Sequence, residues 1–283
     1  MMTFIDKLAG AERANDSMLC VGLDPDPARF PEPMRGDAAR IFEFCASIVE
    51  ATRDLVIAYK PQIAYFAANR AEDQLERLIA YIHDTAPAVP VILDAKRGDM
   101  GSTAEQYARE VFDRYGADAV TLSPFLGFDS IEPYLRHAGK GVILLCRTSN
   151  PGGADLQEQR LASGDRLYEH IARLAAGPWN TTGQLGLVVG ATFPAEIARV
   201  RQLAPTLPLL IPGIGVQGGD AAATVRAGWR GEAGTTTAPI IVSSSRAVLY
   251  PADARGSDFA AASRRAAEAA RRELASARAL TTA

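Results

Sequence analysis

The chain has 283 residues, 48% of them hydrophobic, and its formal net charge is −3 at pH 7. This length exceeds that of a usual domain, but closed α/β barrels commonly fold over such a length as one unit. The small net charge gives no general attraction to nucleic acid or to an anionic membrane, so we expect a small molecule as the partner.

The N-terminal segment 1–16 carries charges where a signal peptide needs an apolar core, and no stretch approaches the roughly 20 apolar residues of a membrane span. Cys20, Cys45 and Cys146 lie in apolar stretches without metal or redox spacing, which indicates small buried hydrophobic residues. We therefore expect a protein of the reducing cytoplasm. We expect no metal site at the scattered histidines, which are His83, His137 and His170.

Short apolar runs recur along the chain and predict eight β-strands. They lie at residues 19–24, 55–60, 89–96, 119–124, 141–149, 185–191, 208–215 and 239–246. The stretches between them have helical periodicity, for example at 39–50 and 102–112. Strands that alternate with helices in this way predict a (β/α)₈ TIM barrel that forms a single domain over residues 1–283.

A doubly wound open sheet is the competing architecture. It would place a glycine-rich phosphate turn after the first strand, whereas this chain has Asp24-Pro-Asp-Pro27 there. In a barrel, the polar residues at the C-terminal ends of the strands face the active site. Here those ends supply Asp24, Lys60, Asp94, Lys96, Ser123, Ser149 and Arg246.

The third predicted strand runs directly into a group of charged residues. Asp94 and Lys96 are two residues apart, and on a strand such side chains project from the same face. Asp99 follows Gly98, where we expect a loop. This loop directs the Asp99 side chain either back to the point where Asp94 and Lys96 project or outward at a neighbour. A solvated surface cluster is the alternative, but charges that end a buried strand favour an active site.

Two segments near the C-terminus predict a phosphate site. The backbone N–H groups of the glycine-rich segment 212–220 could bind an anion, with Gln217 as a side-chain donor. Segment 243–246, Ser-Ser-Ser-Arg, adds hydroxyl groups and a guanidinium group. TIM barrels often bind phosphate after their seventh and eighth strands, which favours this interpretation over a merely flexible connection.

Taken together, these segments resemble the orotidine 5'-phosphate decarboxylases, and in particular their longer bacterial subgroup. The Asp-x-Lys-x-x-Asp signature matches at Asp94, Lys96 and Asp99 within DAKRGDMGST. Further matches follow in the right order along nearly the whole barrel: VGLDPD, AYKPQ, RTSNPG, PGIGVQGGD and SSSRAVLY.

The resemblance implies decarboxylation of orotidine 5'-phosphate to uridine 5'-phosphate and carbon dioxide, a step of pyrimidine synthesis, with no metal and no organic cofactor. By that resemblance Lys96 would protonate C6 of the pyrimidine, within an alternating charge array formed with Lys60, Asp94 and Asp99. The protein would be a homodimer with shared active sites.

The remaining roles also follow from the resemblance. Asp99, Met100 and Thr103 would serve the partner's site, with Met100 at a position where isoleucine is more usual. Asp24 and Lys60 would bind the ribose hydroxyls. The base and the phosphate would be bound by Ser149, Gln217 and Arg246.

Other functions stay open at this point. A metal-dependent decarboxylase of 3-keto-gulonate 6-phosphate shares the motif and a phosphate site, but it would need magnesium. A Schiff-base aldolase would place its lysine in apolar surroundings instead of between carboxylates. A barrel that has lost its chemistry would not keep every charge of the motif.

Two further segments allow a simpler interpretation. Segment 150–160 either covers the pyrimidine or is an exposed insertion. In segment 261–274 the arginines are interspersed with glutamates, which predicts a solvated last helix and not a nucleic-acid-binding arm.

Overall fold

The computed structural model describes residues 2–214, 218–232, 235–254 and 258–282. The strands are β1 (Leu19–Leu23), β2 (Ala58–Pro61), β3 (Ile92–Arg97), β4 (Ala119–Leu122), β5 (Gly141–Arg147), β6 (Leu185–Val189), β7 (Leu209–Pro212), β8 (Arg230–Glu232), β9 (Thr235–Ala238) and β10 (Ile240–Ser244). The main sheet contains eight parallel strands in the order β2-β1-β10-β7-β6-β5-β4-β3. Parallel bridges between Tyr59 and Val91 and between Gln62 and Asp94 join the two end strands, so the sheet closes into a barrel.

Helices follow or precede the barrel strands along the chain. They are α1 (Phe4–Asn15), α2 (Ile41–Thr52), α3 (Ile63–Ala67), α4 (Glu72–Thr85), α5 (Gly101–Arg109), α6 (Glu132–Leu135), α7 (Ala154–Gln157), α8 (Leu167–Ala176), α9 (Pro194–Leu203), α10 (Ala221–Gly228), α11 (Arg246–Leu249) and α12 (Phe259–Thr282). Short 3-10 turns and a π turn at Glu110–Arg114 connect some of them. None of the helices in the described ranges has both the length and the apolarity to cross a membrane.

The predicted barrel is confirmed, and most strand positions agree to within a few residues. The largest shifts are of three residues. β2 begins at Ala58, because residues 55–57 form the turn that leads into the strand, β3 begins at Ile92, and β7 ends at Pro212. The helix predicted at 102–112 is shorter than its periodicity indicated, since α5 ends at Arg109 and the chain passes into the π turn at Glu110. The antiparallel hairpin of β8 and β9 was not predicted. Its segment carries no clear alternation of apolar and polar residues.

Helix α1 closes the N-terminal end of the barrel. Phe4, Leu8 and Ala11 are buried in a cluster with interior side chains of the strands, among them Cys20 and Ile143. The contact is close, because a Cβ added to Gly141, the first residue of β5, would lie 2.3 Å from the Phe4 ring. Burial of these apolar groups holds α1 against the sheet and keeps water out of this end of the barrel.

Asp118, just before β4, ties α1 and α4 to the barrel. Its carboxylate accepts hydrogen bonds from Lys7 Nζ at 3.0 Å, from His83 Nε2 at 3.0 Å and from the backbone N–H of Val91 at 2.8 Å. Burial alone raises the pKa of Asp118, but these three donors outweigh it and lower the pKa to about 2. The ionised carboxylate therefore stabilises the folded protein.

We predict that Asp118→Asn lowers the free energy of unfolding by about 2 kcal/mol at pH 7. Because the pKa is lowered on folding, this contribution is complete above about pH 4, the ordinary pKa of an aspartate, and is lost as the pH falls toward 2. Urea unfolding at several pH values checks both points, with the exposed Asp113→Asn as control. A difference between Asp118→Asn and the parent protein that stays constant down to pH 2 would contradict the assignment.

Candidate active site

A cavity of about 530 Å³ opens at the C-terminal ends of the barrel strands. This volume suits a small organic ligand, and its position is where TIM barrels hold their active sites. Six of the predicted site residues line it: Asp24, Lys60, Asp94, Lys96, Ser149 and Arg246. The fold therefore brings predicted site residues from five different strand ends to one place.

Asp94 lies between two lysines. Lys60 Nζ is 2.9 Å from its Oδ2 and Lys96 Nζ is 2.6 Å from its Oδ1, so each carboxylate oxygen accepts a hydrogen bond from one ammonium group. Lys60 and Asp94 are buried, whereas 47% of the Lys96 side chain is exposed toward the cavity and solvent. Of the two lysines, Lys96 is thus the more accessible to a ligand.

Burial and charge have opposite effects on the pKa values of Asp94 and Lys60. Burial by itself raises the pKa of Asp94, but the charges of Lys60 and Lys96 outweigh it and hold the pKa well below its ordinary value. Burial likewise opposes the charge of Lys60, and the carboxylates of Asp94 and Asp24 raise its pKa above the ordinary value. The pair of Lys60 and Asp94 is therefore stabilised in its ionised form.

The backbone of β3 is irregular where it carries these side chains. Leu93 pairs with Val120 of β4 and the next pair is Arg97 with Leu122, so the register shifts within this stretch. Lys96 has φ +46°, in the left-handed region that residues with a side chain rarely adopt. Asp94 and Lys96 do meet as predicted, but through this bulge and not through the regular alternation of a strand.

Asp24, which directly follows β1, lines the cavity. Its Oδ1 is buried and has no hydrogen-bond partner among the described residues. A buried acceptor without a donor is costly. Close packing holds this end of the cavity together, since a Cβ on Gly22 would lie 1.9 Å from Ser245 Oγ.

The segment that follows β5 forms a wall of the cavity. Asn150, Leu156 and Gln157 line it, the last two from α7, so the segment covers part of the site instead of projecting away from it. The buried Arg147 holds the segment down, because its guanidinium group lies 2.5 Å from Glu158 Oε1 and 3.9 Å from the centre of the Phe193 ring. Of the two interpretations of segment 150–160, the structure favours a cover.

The predicted phosphate end of the site is described in part. Arg246 is exposed at the start of α11 and lines the cavity with Ser243, Ser244 and Ser245. Gln217 lies outside the described residues, as do its two preceding neighbours. The described groups still bring one guanidinium group and three serines to one cavity.

Asp99, Met100 and Thr103 are not among the described residues that line this cavity. They lie on the segment that leads from β3 into α5, where Met100 and Thr103 are exposed and Asp99 is half-buried. Asp99 Oδ1 accepts a hydrogen bond from the backbone N–H of Met100 at 2.9 Å. Of the two directions expected for Asp99, the structure shows the outward one.

Thr121 and Gln62 are among the polar cavity residues to which the sequence pattern assigned no role. Thr121 of β4 donates a hydrogen bond from its hydroxyl to Asp94 Oδ1 at 2.9 Å, and Gln62 follows β2 beside Lys60. The signal for Thr121 was a polar residue inside the apolar run AVTL. The signal for Gln62 was a polar residue directly after a buried strand.

Comparison with known proteins agrees with the predicted family. The family model described as "Orotidine 5'-phosphate decarboxylase / HUMPS family" matches residues 17–270. A protein of Methylibium petroleiphilum named orotidine 5'-phosphate decarboxylase is 73% identical over 280 residues, which cover 98% of this chain and 100% of that protein. A protein of the same name from Polaromonas naphthalenivorans is 72% identical over 281 residues, with 98% and 97% covered.

A solved structure extends the similarity to the fold. The OMP decarboxylase of Leishmania donovani superimposes with a TM-score of 0.83 at 39% sequence identity, over 98% of this chain and 99% of that one. The sequence of strands and helices is therefore shared along the whole barrel.

Proposed function

The chain belongs to the orotidine 5'-phosphate decarboxylase / HUMPS family, and on that premise we propose that it converts orotidine 5'-phosphate to uridine 5'-phosphate and carbon dioxide. This reaction is the last step of the de novo synthesis of that nucleotide. The observation that carries the proposal is the ammonium group of Lys96, held 2.6 Å from Asp94 and open to the cavity. The relatives at 73% and 72% identity bear the name of this enzyme.

The chemistry requires a cation where negative charge develops. When the bond between C6 and the carboxylate breaks, its electron pair stays on C6 and carbon dioxide leaves. A preorganised ammonium group beside C6 stabilises that charge without any reorganisation of solvent. Lys96 then gives a proton to C6 and regains one from solvent, so neither a metal nor an organic cofactor enters the step.

The other cavity residues bind and orient the nucleotide. Asp24 and Lys60, which both line the cavity, bind the ribose hydroxyls. Ser149 contacts the edge of the pyrimidine. Gln217 and Arg246 bind the phosphate, and binding energy from that remote group helps to hold the reacting carbon against Lys96.

We propose that the protein is a homodimer with shared active sites. Asp99, Met100 and Thr103 of one subunit then contact the nucleotide that is bound in the active site of the other subunit. These residues lie outside their own cavity on a segment with an exposed Met100. The loop after β4 runs alongside, since a Cβ on Gly98 would lie 3.3 Å from Ser123 Cβ, and that loop exposes Phe125 and Leu126. An apolar surface of this kind is typical of a protein interface.

We also propose that the protein acts in the cytoplasm. Its substrate is a small nucleotide, and neither nucleic acid nor a membrane is a partner. Its three cysteines are free and buried, which is compatible with a reducing compartment.

Two other reactions compete with this proposal. A magnesium-dependent sugar-phosphate decarboxylase would need Asp94 as a metal ligand, yet both oxygens of that carboxylate already accept lysine hydrogen bonds. A Schiff-base aldolase would place its lysine in apolar surroundings, whereas both lysines here contact the carboxylate of Asp94.

We predict that EDTA-treated protein removes the absorbance of the orotate group when it is given orotidine 5'-phosphate. Lys96→Ala loses at least about 10⁴-fold in kcat/KM but still binds uridine 5'-phosphate, since the stabilising cation is lost while the phosphate and ribose contacts remain. No absorbance change with the parent protein, together with activity on a sugar phosphate plus magnesium, would contradict the proposal.

We also predict that Lys96→Ala and Asp99→Ala chains complement each other. A heterodimer of the two has one site with both residues intact, so differently tagged and co-purified heterodimers recover about half of the parent kcat. Each homodimeric variant stays inactive and serves as the control. Confirmed heterodimers without recovered activity would rule out shared sites.

A further inference from the structure

Thr121 occupies a position in the site to which no function has yet been given. It lies on β4, it is 1% exposed, and it lines the cavity beside Asp94. We propose that Thr121 is a positioning residue for the reaction, whose hydroxyl fixes both the carboxylate of Asp94 and the backbone that carries Lys96. This inference rests on the proposed function and adds a residue to its machinery.

The first support comes from the break in strand pairing. Between the pairs Leu93–Val120 and Arg97–Leu122, β3 has three residues and β4 has only Thr121. Two N–H groups of β3 in this bulge hydrogen-bond to a side chain of β4. Thr121 Oγ1 accepts from the N–H of Ala95 at 3.1 Å and from that of Lys96 at 3.0 Å. Buried N–H groups require such partners.

The second support is the remaining hydrogen bond of the same hydroxyl. A threonine hydroxyl can donate one hydrogen bond and accept two. With both acceptor positions taken by N–H groups, its proton is directed to Asp94 Oδ1 at 2.9 Å. That oxygen is also the one that Lys96 Nζ contacts. Because all three hydrogen-bonding positions are in use, the hydroxyl has one orientation and so does the carboxylate.

The third support is the backbone of Lys96 itself. Its positive φ of +46° costs free energy and persists only where surrounding contacts hold it. The bond from its N–H to Thr121 is such a contact. Through the backbone on one side and through Asp94 on the other, Thr121 therefore determines where both ends of the Lys96 side chain lie.

The test uses substitutions that separate the hydroxyl from the shape of the residue. Thr121→Val keeps the volume and the branched Cβ but removes the hydroxyl, whereas Thr121→Ser keeps it. A displacement of about 1 Å in a reacting group costs about 100-fold, so we expect Thr121→Val to lower kcat about 100-fold. We expect the dissociation constant of Thr121→Val for uridine 5'-phosphate to stay within about threefold of the parent value. We expect kcat of Thr121→Ser to stay within about threefold of the parent kcat as well.

Thr52→Val is the matched control. Thr52 is also buried, and its hydroxyl bonds to the carbonyl of Ile48 at 2.7 Å and to the Tyr59 hydroxyl at 2.8 Å, but it does not line the cavity. Its loss should lower stability and leave kcat unchanged. Urea unfolding confirms that each variant is folded in the assay, and Thr121→Cys, with a thiol that bonds weakly, replaces Thr121→Val if that variant does not fold.

Three results would overturn the proposal: an unchanged kcat in Thr121→Val, equal losses of kcat in Thr121→Val and Thr121→Ser, or a loss of nucleotide affinity as large as the loss of kcat. An inactive parent protein would instead overturn the proposed decarboxylation, and the role of Thr121 with it. The two failures are therefore distinguishable.

Discussion

The carboxylate of Asp94 is the group on which the rest of the site depends. It is buried between Lys60 and Lys96, and a buried charge is tolerated only when it is paired and hydrogen-bonded. Removing any one of these three side chains leaves a charge of the remaining two poorly compensated. The free-energy cost of that change exceeds the net contribution of the intact ion pairs to stability. The same mutual dependence keeps the Lys96 ammonium group in one place, where it can act on a bound molecule.

The barrel supplies the conditions for this cluster. Its strands converge on one cavity, α1 closes the opposite end with apolar side chains, and α7 covers part of the mouth. Burial of Lys60 and Asp94 strengthens the electrostatic interaction between them. In the proposed reaction, these fixed charges place one lysine where it stabilises a carbanion.

Much of the fold could be predicted from the sequence, because buried parallel strands appear as apolar runs and helices as periodic stretches. The meeting of Asp94 and Lys96 was also predictable, although the bulge that brings them together was not. A register shift depends on which backbone groups find partners across two strands, and Thr121 supplies those partners from 25 or more residues away. For the same reason, the outward position of Asp99 becomes visible only in the folded chain, and Gln217 stays a prediction.

The central claim, that Asp94 acts on the reaction through Lys96, is tested most directly by a double-mutant cycle. The kcat/KM for orotidine 5'-phosphate would be measured for Asp94→Asn, Lys96→Ala and the double variant, with binding of uridine 5'-phosphate as the check that each site is intact. Residues that act as one unit are strongly non-additive, so the double variant should stay within about tenfold of Lys96→Ala. Losses that multiply, with each substitution lowering kcat/KM independently, would contradict the claim.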